Sequence, residues 1–381
     1  MRMEPVMNEG ISHVGLDVHK KSISICLLLP GSSSAEEWTC PNVPAKVGAM
    51  LRRIRKKAPG AIDVAYEAGP CGFGLQRRIN ATAGFSCMLV APSLIPRKPG
   101  VRIKTDRRDA RKLAELLRAD LLTEVHPPTP SEEALRDLCR ARAEARRDLT
   151  KARQRMGAFL LRKDRVYTET KNKWTLRFFA WLRRQMFENP YDQKVFDSYL
   201  LNLERIAERV AELEEVIDEA AVTEPELVEP VALLRCFHGI DTIAATTIAT
   251  ELFSFARFTS PRGLMAFLGL TPSEHSSGSS RRLGGITKTG NGHVRRQLIE
   301  SAWSYMRPIR VSRALRERRK DQPGWAVAIA EQARKRLHKR YWKLVSAGKH
   351  KNKATTAVAR ELVGFIWAVL SRRTHQESEA A

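Results

Sequence analysis

The chain has 381 residues, enough for two or three domains with a sizeable core, and a hydrophobic fraction of 43% excludes wholesale disorder. Its 66 Lys and Arg against 42 Asp and Glu leave a formal charge of +24, whose self-repulsion a polyanion relieves, so nucleic acid is the expected partner. No apolar run approaches the roughly 18 residues of a spanning helix, and no basic amphipathic anchor, lipidation signal or secretory leader is evident. The expected compartment is therefore the cytoplasm, with no membrane partner. Cys26, Cys40, Cys71, Cys87, Cys139 and Cys236 show no close-paired spacing, which suits a reducing compartment and gives no zinc signature.

In chain order, His13 to Leu29 is rich in β-formers and broken by His19-Lys20-Lys21, which predicts two strands joined by a tight turn. Lys46 to Lys57 has helical spacing through Val47, Met50, Leu51 and Ile54. Ala61 to Tyr66 reads as a strand, Pro70 to Ala83 as a helix and Phe85 to Val90 as a further strand. Thr105 to Leu122 is predicted helical with Thr105 as its N-cap. Strands alternating with helices imply an α/β domain over about 10–125.

Residues 126–225 read as a charged helical connector. Phe196, Leu203, Val210 and Ile217 recur every seven residues, with Tyr199, Ile206, Leu213 and Ala220 at the matching second positions, the pattern of a coiled coil. The stretch from Arg162 to Pro190 is read as helical. After Glu224-Pro225 and Glu229-Pro230 an all-α, very basic region follows, over about 230–375. Its first two helices meet at His238-Gly239-Ile240-Asp241, and Ser260-Pro261 opens a short one. A polar Gly/Ser-rich loop spans Thr271 to Gly292. Helices are then expected from about His293 to Met306, Trp325 to Ser346 and Thr355 to Ser371.

Four acids carry the chemistry. Asp17 falls inside the first strand, where an unpaired charge is costly. Glu67 ends a later strand, and Asp106 and Asp109 share one face of a helix's first turn. Singly, the two helical acids could simply favour the positive end of the helix. Together, and in this order, the four match an RNase H-like metal site. Carboxylates about 4 Å apart repel by roughly 4 kcal/mol at an effective dielectric of 20, so Mg²⁺ or Mn²⁺ is the expected cofactor.

The Ser/Gly-rich loop offers Ser273, Ser276, Ser277, Ser279 and Ser280, among which residue chemistry does not choose. Arg281, Arg282, Lys288, Arg295 and Arg296 follow it and could hold a phosphodiester. A serine hydroxyl needs a base or a metal to act as a nucleophile. His275 and His293 are the only nearby imidazoles, and activation by the carboxylate-bound metals is the simpler expectation. The runs 313–320 and 333–340 are candidate backbone-binding helices. Trp303, Tyr305, Trp325, Tyr341 and Trp367 are expected mostly in the core rather than stacked on bases.

The strings HVGLDVHKK, YEAGP, KTDRRDARKLAELLRA, GLTPSEHSSG and GGITKTGN, in this order, resemble the DEDD transposases of the insertion-sequence one-ten family. The resemblance implies a RuvC-like domain with Asp17, Glu67, Asp106 and Asp109 as metal-site carboxylates and Ser277, before Gly278, as the nucleophile that joins DNA. It also implies an oligomerising coiled coil, a homodimer or tetramer, and, as in some members, a structured non-coding RNA as guide. A hydrolytic nuclease or junction resolvase, a site-specific invertase and a non-enzymatic nucleic-acid-binding protein are the alternatives. The family's Pro-Gly-Ile-Gly turn is replaced here by His238-Gly239-Ile240-Asp241, so a purely structural turn is as well supported as DNA contact.

Overall fold

The computed structural model describes residues 10–380 apart from 59, 97–104, 254, 278–279, 281 and 309, with the backbone alone at 93 and 373–380. It divides into two compact units, Met1–Thr129 and Pro130–Ala381.

The first unit is built on a five-stranded sheet of β1 (Ser12–Val18), β2 (Ser22–Leu28), β3 (Ala35–Pro41), β4 (Ile62–Glu67) and β5 (Phe85–Val90) in the order β3-β2-β1-β4-β5. β1 to β3 are antiparallel neighbours, whereas β4 runs parallel to β1 and β5 parallel to β4. Helices α1 (Pro44–Lys57) and α2 (Gly74–Asn80) cover one face. There Val14, Leu16, Ile25, Val64 and Tyr66 pack against Val47, Met50, Ile54 and Ile79. Helix α3 (Asp106–Arg118) covers the other, with Ala110 and Ala114 against Cys26 and Leu28, and Leu113 against Ala65 and Val90.

The strand pair, α1, β4, β5 and α3 match the sequence reading, and Thr105 caps α3 by accepting the Arg108 N–H. β3 was not foreseen. Its sequence AEEWTCP lies at the sheet edge and is mostly half-buried, so it lacks the apolar run that marks an inner strand. α2 starts later than Pro70, after a turn in which Gly72 takes φ +67. α3 stops short of Leu122 because Asp120 adopts φ +53.

In the second unit α4 (Pro130–Arg162) and α6 (Pro190–Thr223) form a long antiparallel hairpin. The direction follows from Phe159 against Phe196 near one end and Arg142 against Glu214 (2.9 Å) near the other. Phe196, Leu203 and Val210 are buried with Ala145, Leu149, Ala152 and Met156 of α4, so the heptad seam is filled within the chain. Between the two, only α5 (Leu176–Arg183) of the stretch read as helical is a helix. It packs aromatic residues, Phe178 and Trp181, against Tyr167.

The remaining helices are α7 (Pro225–Leu234), α8 (Thr242–Leu252), α9 (Pro261–Phe267), α10 (Gly292–Ala302), α11 (Arg313–Arg319), α12 (Gly324–Ser346) and α13 (Lys351–Ala380). α7 passes through Pro230, where the sequence suggested a break. Between α9 and α10 the expected loop folds into a hairpin of β6 (Pro272–Glu274) and β7 (Leu283–Ile286). α13 corrects the expectation that no apolar segment reaches spanning length: Lys351–Arg372 is long and apolar enough. Half of it is buried, with Val358, Leu362, Val363, Ile366 and Val369 in the core beside Leu298, Ala330 and Leu337, which is the setting of a core helix.

Candidate active site

Side-chain alternation places the first acids. Gly15 and Asp17 of β1, and Ala65 and Glu67 of β4, sit two residues apart and share the sheet face covered by α3. Leu16 pairs with Tyr66, so Asp17 and Glu67 are the next residues along two parallel strands, at their C-terminal ends. Gly15 lets α3 lie against the strand backbone, since a Cβ there would meet the Ala110 carbonyl oxygen at 2.0 Å and the Ala114 nitrogen at 2.5 Å. This contact delivers the first turn of α3, with Asp106 and Asp109, to the Asp17 end of β1.

Asp17 Oδ2 lies 3.2 Å from His19 Nε2, which is 3.7 Å from Asp106 Oδ1. One ligand atom from each of Asp17, His19 and Asp106 falls within 4.8 Å of the others. Burial pushes the Asp17 carboxyl above its ordinary range; His19 opposes the shift, and the charges of Asp106 and Asp109 add to it. Asp109 is thus electrostatically part of the cluster. Glu67 is exposed at the same end of the sheet and stands outside the three-residue group. The donor set fits a hard divalent cation: two carboxylates converge, a third bears on them, and the half-buried one is destabilised as an anion without a positive partner.

Two residues near this cluster carried no functional expectation. His19 was read only as part of a turn. Glu37 of β3, with its side chain 4% exposed, is ion-paired with Arg107 and, at 2.5 Å, with Arg111 of α3. Arg107 sits between Asp106 and Asp109, so this anchor bears directly on the turn that carries them. No sequence signal named this pairing, because Arg107 and Arg111 lie 70 or more positions after Glu37.

Ser277 lies in the second unit, exposed near the tip of the β6–β7 hairpin. Its N–H donates to Ser280 O and its carbonyl accepts from Ser280 N, both at 3.1 Å. Ser276 differs: its hydroxyl donates to Glu274 Oε1 at 2.8 Å and accepts from Arg282 N at 3.3 Å. Among the described residues the Ser277 hydroxyl has no such partner. Gly278, Ser279 and Arg281 lie outside the described residues. Arg282 and Lys288 are exposed beside the hairpin. Arg295 donates to the carbonyls of Leu268 (2.9 Å) and Thr289 (2.8 Å), tying the hairpin base to the end of α9, and Arg296 is exposed 3.9 Å from Glu300.

The 238–241 turn is packed rather than open. Gly239 takes φ +82, and a Cβ there would come within 2.5 Å of Ser301 O. Asp241 caps α8 by accepting the Ala244 N–H at 2.8 Å. Arg318 and Arg319, from one of the basic runs, donate to the carbonyls of Ile240 (2.6 Å) and Cys236 (2.9 Å). In the other run Arg334 is buried against Glu331, and Arg336 and Arg340 pair with Glu361. Tyr305 and Tyr341 are buried, as expected of the aromatic residues there.

Residues 14–163 match the family model for DEDD transposases of IS110 type, and residues 231–317 match the model described as Transposase IS116/IS110/IS902 family. The first span contains all four acids and the second the serine hairpin with its basic flank. The chain is 40% identical to y4qE of Sinorhizobium fredii, by name a transposase, over 93% of this chain and 87% of the relative. The chain belongs to the IS110 family of transposases. The transposase for insertion sequence element IS1533 of Leptospira borgpetersenii is 33% identical over 86% of this chain and 95% of its own. That for IS1328 of Yersinia enterocolitica is 25% identical over 76% and 78%. This transposase is accordingly a DNA recombinase, an enzyme whose substrate is DNA, and its acids and its serine fall in the two matched parts of the chain.

Proposed function

We propose that the transposase moves an insertion sequence by cutting and rejoining DNA strands at a divalent-metal site made by Asp17, Glu67, Asp106 and Asp109, through a transient covalent link to Ser277. The observation that carries the reading is the convergence of Asp17 and Asp106 at the C-terminal end of the sheet, with Asp109 close enough to raise the Asp17 pKa. The sheet order β3-β2-β1-β4-β5 with three antiparallel and two parallel-joined strands supports an RNase H-like, RuvC-like core for region 10–125. Region 126–225 would act as the connector and region 230–375 as the serine-bearing part.

A bound Mg²⁺ or Mn²⁺ would neutralise charge on the scissile phosphate. Asp17, Asp106 and Asp109 would hold it, with Glu67 completing the set from the neighbouring strand. In the reaction the Ser277 oxygen forms a bond to phosphorus as the bond to the departing sugar oxygen breaks, and that oxygen takes up the proton serine loses. Attack by another DNA hydroxyl reverses the exchange and frees the serine, so the phosphodiester energy is conserved without ATP. The exposed, uncommitted Ser277 hydroxyl supports this choice over Ser276. Arg282, Lys288 and Arg296 would position the backbone, while Arg295 contributes by fixing the hairpin base. Resemblance to guided members of the family supports a structured RNA as further partner, and a homo-oligomer acting in the cytoplasm.

The test is a labelled DNA carrying the element's ends, incubated with protein and Mn²⁺ and then denatured. A covalent protein–DNA adduct is expected from the native chain and from Ser276→Ala, and none from Ser277→Ala or Asp17→Asn. Cleavage that persists in Ser277→Ala without any adduct would replace this reading with hydrolysis by water.

A further inference from the structure

A cleft of about 610 Å³ opens in the helical unit between α4, α8 and α10. Its volume is that of a small-ligand pocket rather than of a surface dimple. Arg146, Arg147 and Lys151 line it from α4, and Arg296 from α10. Arg147 and Lys151 are one turn apart, about 6 Å along the axis, and Arg146 starts a parallel row that continues through Thr150 to Gln154. The cations therefore form a track along the helix.

The acids in the wall do not cancel this charge. Glu251 is consumed by a two-pronged pair with Arg140, at 2.7 and 3.0 Å, and by Asn291 Nδ2 at 2.7 Å. Asp241 is spent capping α8. Glu300 stands 3.9 Å from Arg296, and Arg147 and Lys151 have only exposed neighbours on their own helix, Glu144 at 3.3 Å and Asp148 at 3.7 Å. Such pairs are worth little and exchange readily for a phosphate. Arg146 has no acidic partner among the described residues. His293, on the same wall, registers the field: burial lowers its pKa and Glu251 opposes, but Arg140, Arg296 and Arg147 push it down further.

We propose that this cleft is a second nucleic-acid site, in which Arg146, Arg147, Lys151 and Arg296 hold the phosphodiester backbone of a single DNA strand. A pocket of this size admits one strand's backbone and not the width of a duplex. Arginine forks suit phosphate oxygens, and the glutamine of the α4 row adds neutral hydrogen bonding without sequence readout. The assignment takes its substrate from the strand-cutting reading above and shares Arg296 with it, but Arg146, Arg147 and Lys151 are residues that reading does not use.

The experiment is fluorescence anisotropy with the full chain and labelled single-stranded DNA, duplex DNA and RNA of one sequence, over a salt series. Arg146→Ala/Lys151→Ala is expected to weaken single-strand DNA binding at least tenfold. It should also reduce the log–log salt slope by about 1.4, at about 0.7 for each phosphate that is no longer neutralised. Arg146→Lys, which keeps the charge, should retain binding to within a few-fold. Both substitutions are at exposed positions, and unchanged thermal melting verifies folding. Native affinity and slope in the double variant overturn the site, as does a loss confined to RNA, which would reassign it. Asp17→Asn should bind like the native chain while failing to cut. Binding without cleavage in the native chain itself would overturn the strand-cutting reading and leave the cleft standing.

Discussion

The backbone of α3 touches the backbone of β1 at Gly15, whose α-carbon faces the carbonyl oxygen of Ala110 so closely that a methyl group would sit 2.0 Å from it. Only a residue without a side chain permits that approach. Gly15→Ala is expected to push α3 outward and carry Asp106 away from Asp17. A cost of about 1–3 kcal/mol is typical of such overpacking, and urea denaturation measures it. DNA cleavage should fall by far more than the stability change explains. Gly324→Ala at the start of α12, with open space around it, is the matched control and should be neutral in both assays.

Glu37 holds α3 from the neighbouring strand. Glu37→Gln leaves a buried amide facing Arg107 and Arg111, whose side chains are 75% and 48% exposed, so water softens the loss. The expected cost is about 1–2 kcal/mol. Because Arg107 lies between two site acids, the variant should also need a higher Mn²⁺ concentration for half-maximal cleavage. An unchanged Mn²⁺ dependence would make Glu37 a purely structural anchor.

The Glu251 carboxylate gives the helical unit a pH dependence. Burial raises its pKa, but hydrogen bonds from Arg140 and Asn291 and the charges of Arg140 and Arg136 outweigh burial, and the folded value ends below the ordinary range. A depressed acid stabilises the fold above its unfolded pKa, and that contribution is lost as pH falls through the folded value. Glu251→Gln should therefore destabilise at pH 7, by about 3–5 kcal/mol if the pair is simply broken. The gap to the native chain should narrow in acid below pH 4. Chemical denaturation at both pH values reads the two gaps.

Gly239→Ala should destabilise the helical unit. Its φ of +82 disfavours any side chain, and the added carbon would strike Ser301 O and the Ser304 side chain. A fall in melting temperature is expected, with the first unit's own transition unmoved.

Much of the carboxylate domain was legible because its inner strands and its capped helix obey local rules. Thr105 caps α3 where its side chain predicted, and Asp17 stood out as an acid in an apolar strand. What local rules miss depends on partners distant in sequence. β3 is polar because it is an edge, and Glu37 acquires meaning only from arginines 70 or more positions later. His19 looked like turn chemistry until α3 brought Asp106 beside it. In the helical unit the basic runs read as uniform charge. Arg318, Arg319 and Arg334 are in fact consumed by carbonyls and by Glu331, while exposed Arg146 and Lys151 on α4, which no local signal singles out, line the cleft. Composition counts charges but cannot tell which have been spent inside.

The hairpin of α4 and α6 closes its own zipper. Leu203 and Phe196 find their hydrophobic partners on the same polypeptide, so melting of this hairpin should not vary with protein concentration. A homo-oligomer of the kind proposed above would then have to grip the outside of the hairpin or another part of the chain, and its copies could separate without any of them unravelling.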